Sequence, residues 1–133
     1  MHFLAVGYPD QFDHAFKEAI RERAGALIVL PSVFYAHHLR HIAALARPNG
    51  LPAIFWSQQF AEVGGFMAYG PSPSHLWQRA AAYIDKLIKG GKPADLPVEQ
   101  STTFELVINL TTAKALGLTI PPALLFQATE VIR

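Results

Sequence analysis

Apolar and polar positions along the chain switch between two periods, and each switch marks an element. The opening run HFLAVG is short, almost wholly apolar, and stopped by Gly7 and Pro9, which predicts a strand over residues 2–7. Phe12, Ala15, Phe16, Ala19 and Ile20 then recur at helical spacing, while Lys17, Glu18, Arg21 and Glu22 fill the opposite side. That pattern predicts a one-sided helix, capped by Asp10 and ended by Gly25. ALIVLP, stopped at Pro31, has the continuous β-branched and leucine character of a strand covered on both faces, over residues 26–30. Helical spacing returns at Tyr35, Leu39, Ile42 and Ala46, predicting a helix over 34–47 before the breaker PNG.

PAIFWS and GFMAYG predict two more short strands, over 52–57 and 65–70, with a short segment 59–64 between them. Strand and helix alternating at this spacing argue for βαβ units with right-handed crossovers and a mainly parallel sheet. The best-defined helix follows: Ser72 at the N-cap, Pro73 at the first helical position, and Leu76, Ala80, Tyr83, Ile84, Leu87 and Ile88 on one face up to Gly90. Residues 91–103 carry prolines and no helical period, and read as an extended connection. FELVINL is a strand signal, Thr112 can cap a short helix that Gly117 ends, and Pro121 and Pro122 open a last helix reaching the C-terminus. A single α/β domain over 1–133 is the expectation.

Composition narrows the function classes. The 133 residues are 51% hydrophobic and 16% charged, which excludes a disordered chain. A formal net charge of +1 gives no electrostatic footprint for nucleic acid or an anionic membrane. There is no cysteine, so a disulfide framework, a thiolate metal site and a cysteine nucleophile are excluded. Apolar runs end well before the ~20 residues of a membrane span, so no direct membrane insertion is expected. MHFLAVGYPD lacks the basic start and small-residue cleavage site of a secretory signal.

The chain's chemistry-bearing residues fit no catalytic pattern. His37 and His41 lie one helical turn apart with His38 beside them, but no third ligand and no HExxH pattern accompany them. They are expected to face solvent, with no metal and no cofactor. None of Ser32, Ser57, Ser72, Ser74 and Ser101 lies in G-x-S-x-G, and Gly64, Gly65 and Gly70 form no phosphate-binding turn. No catalytic residue is therefore expected. In open parallel sheets, ligands bind beyond the carboxyl ends of strands. Those loops hold Ser32 and Phe34, Trp56 and Ser57, and Tyr69 and Gly70. Aromatic faces with small hydroxyls suit a neutral or zwitterionic small molecule.

The run RAAAYIDKLIKGGKPADLPVEQSTTFELVINLTTAKALGLTIPPALL closely resembles the C-terminal end of the ABC-transporter substrate-binding protein family. There, a helix ending in an L-x-K-G turn leads through P-A-D-L-P-V-E-Q into F-E-L-V-I-N-L, T-A-K-A-L-G-L and a proline-initiated helix. ALIVLPSVFYAHHLRHIAALARPNGLPAIFWSQQFAEVGGFMAYGP is similar to the preceding part of the same family, so the resemblance covers the chain from about Phe3. It implies the type I periplasmic-binding-protein fold, in which two α/β lobes are hinged around a ligand cleft.

Family members are roughly twice as long and begin with an export signal and an entire first lobe. By resemblance this chain is a truncated, three-layer parallel-sheet lobe, the second one, plus the C-terminal crossover segments. The resemblance implies a non-catalytic solute-binding component, a small-molecule ligand and an ABC transporter permease as partner of the full-length parent. It places the parent in the periplasm, whereas a chain expressed as it stands, without a signal, is expected in the cytoplasm. A family acidic residue that often follows the strand matching ALIVLP is absent here, where Pro31 is followed by Ser32 and Val33. The segment from Gly65 to Gly90 belongs by resemblance to the other lobe, which leaves its apolar face unpartnered and points to a homodimer.

Overall fold

In the computed structural model, which describes all 133 residues from Met1 to Arg133, five strands form one sheet. In sheet order they are β1 (Leu27–Ile28), β2 (Ala53–Phe55), β3 (Met67–Pro71), β4 (Phe104–Asn109) and β5 (Glu130–Ile132). β1 with β2, β2 with β3 and β4 with β5 are parallel pairs. Between β3 and β4, Asn109 N–H donates to the Phe66 carbonyl and Ser72 N–H to the Thr103 carbonyl. Residue numbers fall along one strand as they rise along the other, so this pair is antiparallel and the α/β sheet is mixed rather than parallel throughout. An antiparallel return lets the chain leave by β3 and re-enter beside it, with no crossover over the sheet.

The span 1–133 comprises two compact units, Met1–Gly70 with Glu105–Arg133, and Pro71–Phe104. In the first, helices α1 (Phe12–Arg21), α2 (Val33–His37), α3 (Leu39–Ala46) and α4 (Gln59–Glu62) alternate with the strands. Phe12, Phe16 and Ala19 of α1 pack with Leu39, Ile42, Ala43 and Ala46 of α3 on Phe55 and Phe60. A second cluster joins Ala61, Ala68 and Val107, with Ile132 against it. Asn109 accepts from Thr112 N–H at 2.9 Å and so caps α6 (Leu110–Ala115), the role the sequence pattern gave to Thr112.

Four sequence expectations are corrected here. Residues 2–7 form no strand. β1 directs its hydrogen bonds to β2, with Leu27 N–H to Pro52 O and Val29 N–H to Ile54 O. The N-terminal segment lies across a cavity of about 590 Å³ from β1. Leu4 and Val6 are half-buried against the core, while Phe3 is 80% exposed, so only part of the apolar run is packed. The helix expected over 34–47 breaks at His38 (φ −111°, ψ 13°), because His38 Nδ1 bonds the Phe34 carbonyl at 2.9 Å while its backbone N–H turns to Tyr35 O. α1 ends at Arg21, ahead of Gly25, with Arg23 in the left-handed region (φ 55°). Finally, the last helix, α7 (Pro122–Gln127), stops short of the C-terminus and β5 follows it. No helix is long and apolar enough to cross a membrane.

The second unit holds α5 (Pro73–Ile88) and the extended connection, which contains one 3-10 turn, Pro93–Asp95. α5 forms as its sequence dictates: Ser72 Oγ accepts from His75 N–H at 3.4 Å, Pro73 opens the first turn, and Gly90 (φ 94°) turns the chain out. Arg79 clasps Glu99 with both arms of its guanidinium, Nε to Oε2 at 2.8 Å, and Tyr83 donates its hydroxyl to the Pro97 carbonyl. The Arg79 hydrogen bond holds the Glu99 carboxyl below its usual range against the opposing effect of burial. Desolvation, then the Glu99 charge, pushes the Tyr83 phenol up.

Two outcomes follow from this packing. Phe60 is fully buried and stacks on Phe55 at 5.3 Å. Phe60→Ala is expected to cost about 3–5 kcal/mol in chemical denaturation, and a loss under ~1 kcal/mol contradicts this core. Because the Glu99 pKa is lowered on folding, its pair with Arg79 contributes fully above the ordinary glutamate range and is lost as pH falls through the lowered value. The Arg79 Nε–H resonance is expected to titrate with Glu99 on acidification below that range, and Glu99→Gln to abolish that pH dependence.

Candidate ligand-binding site at the strand ends

β1, β2 and β3 run parallel, so their carboxyl ends lie at one edge of the sheet. The register pairs Ile28 with Ile54 and Ile54 with Met67. Two residues further on, the same register brings Leu30, Trp56 and Tyr69 to one row, with the loops beginning just beyond.

Ser32 is half-buried and occupies the N-cap of α2, where its carbonyl accepts from Ala36 N–H. Phe34 is turned into an aromatic cluster: its ring stacks on Phe12 at 5.7 Å with 7° between planes and meets His38 at 4.7 Å. Trp56 is half-buried and stacks on Phe55 at 5.9 Å. Its Nε1 is buried with no hydrogen-bond partner, so an indole donor awaits an acceptor. Ser57 is half-buried, and its carbonyl accepts from Phe60 N–H at the start of α4. Tyr69 is 53% exposed. Gly70 is buried, and a Cβ there would lie 1.9 Å from the Trp56 carbonyl oxygen.

The structure therefore brings Trp56 and Gly70 into direct contact, sets Ser57 next to them, and leaves Ser32 and Tyr69 at the same sheet edge. Phe34 contributes through its cluster. The six include no carboxylate, amine or guanidinium, so the edge combines aromatic rings, hydroxyls and a glycine.

The histidines depart from the sequence expectation in part. His37 is exposed, but His38 and His41 are half-buried against Phe12, with ring centroids at 5.5 and 5.3 Å. Aromatic packing beside α1 draws them inward. No group of three or more His, Asp or Glu side chains is placed to hold a metal ion.

Sequence reasoning missed Asn109, which lies 5% exposed where β4 meets α6. Its Nδ2 donates to Ala61 O at 2.8 Å, and Thr112 Oγ1 donates to Gly64 O at 2.9 Å. An Asn three residues ahead of a Thr, directly after an apolar strand, is a readable N-cap signal; the long-range bonds have no sequence signature.

The contact between Gly70 and Trp56 has a direct check. Gly70→Ala forces β2 and β3 apart where their ends form the site, and about 1–3 kcal/mol of destabilisation is expected from such overpacking. Trp56 emission should shift with it. An unchanged melting curve and spectrum would show that the two strand ends do not meet this closely.

Solved structures share this arrangement. A conserved domain protein from Vibrio cholerae superposes with a TM-score of 0.81 at 26% identity, over 92% of this chain and 41% of its own. An ABC domain in complex with L-Trp from Streptococcus pneumoniae superposes at 0.83 and 26% identity, over 96% and 44%. A ligand-free, open substrate binding protein with adhesive properties from Clostridium difficile shares the fold at 0.69 and 19% identity, over 96% and 42%. The chain thus spans about two-fifths of the length of these structures. No curated protein matches it. The family model described as ABC transporter substrate binding protein matches residues 10–132, and with that match the chain belongs to the ABC transporter substrate-binding family.

Proposed function

We propose that this chain is the solute-binding component, or part of one, of an ABC uptake transporter, binding a small molecule at the carboxyl ends of β1, β2 and β3 without catalysing a reaction. The observation that carries the reading is the common edge reached by three parallel strands, with Gly70 against Trp56, Ser57 and Tyr69 next to them in sequence, and Ser32 in the loop after β1. Phe34 supports that edge from its stack on Phe12.

Aromatic rings with small hydroxyls and no carboxylate or amine among them fit a neutral or zwitterionic ligand. The unpartnered Trp56 Nε1 calls for an acceptor oxygen on it, such as a carboxylate or carbonyl. An aromatic amino acid supplies both a carboxylate and a ring to stack, and the Streptococcus protein is in complex with L-Trp, so L-Trp is the first probe. In the whole protein the other lobe would close over the ligand. A permease would take the ligand from it, on the extracytoplasmic side of the membrane.

One lobe leaves half of the ligand in water, so affinity for this chain alone should be weak, on the order of millimolar. Titrating L-Trp, then the other amino acids, to about 10 mM and following amide resonances provides the test. Saturable shifts confined to residues 31–34, 56–57 and 69–70 are expected, with Trp56→Phe weakening them several-fold. Shifts centred elsewhere, or none with any amino acid, would overturn the reading.

A further inference from the structure

We propose that His38 is a positioning residue for the candidate ligand site: its ring nitrogen fixes the turn after β1, and with it Ser32, an inference that rests on the proposed binding edge. The turn is α2, five residues long, too short to hold a helical shape by its own hydrogen bonds. Ser32 stands at its N-cap with a side chain that makes no cap bond. That hydroxyl is left for a ligand, and it lies wherever α2 is held.

Two kinds of contact hold α2, and both run through Phe34. Its ring stacks on Phe12 at 5.7 Å and meets Tyr35 at 5.5 Å and His38 at 4.7 Å. Its carbonyl accepts from His38 Nδ1 at 2.9 Å. In a continuous helix the His38 backbone N–H would take that carbonyl, but here it goes to Tyr35 O at 3.0 Å. The ring contacts are shared, since Phe12 and Tyr35 still flank Phe34 if the His38 ring is lost. The donor is not. Without it the backbone N–H of residue 38 recovers the Phe34 carbonyl, and α2 joins α3 as the apolar spacing of Tyr35, Leu39, Ile42 and Ala46 favours. Leu39, Ile42 and Ala46 anchor α3 in the core, so α2 is the part that turns, and Ser32 leaves the strand ends. His38 thus acts through Phe34 and Ser32, without touching the ligand itself.

A carbonyl only accepts, so this bond requires the proton on Nδ1, which separates the role from packing. Long-range nitrogen NMR of the full chain at about pH 8.5, where imidazole is neutral, is expected to show His38 as the Nδ1–H tautomer. His38→Asn keeps a donor nitrogen on Cγ, and His38→Phe keeps a ring without one. Backbone carbon shifts should show the break at residue 38 retained in the first variant and replaced by continuous helix in the second. L-Trp should bind about 3- to 10-fold more weakly to His38→Phe and within about twofold of the wild type to His38→Asn. An Nε2–H ring would overturn the proposal, as would a Phe variant that keeps both break and affinity while the Asn variant loses them. If L-Trp binds no form of the chain, the binding reading alone fails, and the tautomer and the break still decide whether His38 holds the turn.

Discussion

The larger unit is built from two stretches of chain separated by the whole of residues 71–104, and one buried amide ties them together. Asn109 takes Phe66 O with its backbone N–H, Ala61 O with its Nδ2, and Thr112 N–H with its Oδ1. Thr112 adds a bond to Gly64 O. Apart from Thr112 N–H, which lies in α6, these partners are main-chain carbonyls around the turn from α4 into β3. At that turn the chain has no slack, since a Cβ on Gly65 would lie 2.3 Å from the Phe60 ring. Fixing this turn fixes the start of β3, and β3 in turn carries Gly70 against the Trp56 carbonyl.

That chain of contacts positions the candidate site at a sheet edge from behind, with few polar groups. The backbone is positioned from behind by Asn109 and Phe60, so the strand ends need only present rings and hydroxyls. Such a surface binds by shape, stacking and one or two directed hydrogen bonds. The similar solved structures extend well beyond the stretch that this chain matches.

Much of this was legible in the sequence. β2, β3 and α5 follow from short apolar runs with clear stops, and from a Ser-Pro start with a Gly end. What the pattern could not supply is pairing. HFLAVG has the composition of a strand, yet a strand needs a ladder, and β1 spends its hydrogen bonds on β2. The antiparallel entry of β4 and the three-residue β5 are likewise decided by neighbours distant in sequence. The break at His38 comes from a ring nitrogen competing for the Phe34 carbonyl, which periodicity does not report. At the site, strand ends could be placed from sequence, but the requirement for glycine at position 70 depends on how closely β2 and β3 approach.

The account's central claim is that Asn109 joins the two stretches into one cooperative body and thereby sets the strand ends. Native-state hydrogen exchange of Asn109→Ala, with its equilibrium unfolding, tests this most directly. Removing the amide leaves Ala61 O and Thr112 N–H buried without partners, so a loss on the order of 3 kcal/mol is predicted, with residues 53–70 and 105–132 losing protection together. A change within about 0.5 kcal/mol, or a loss of protection confined to residues 105–132, would contradict it.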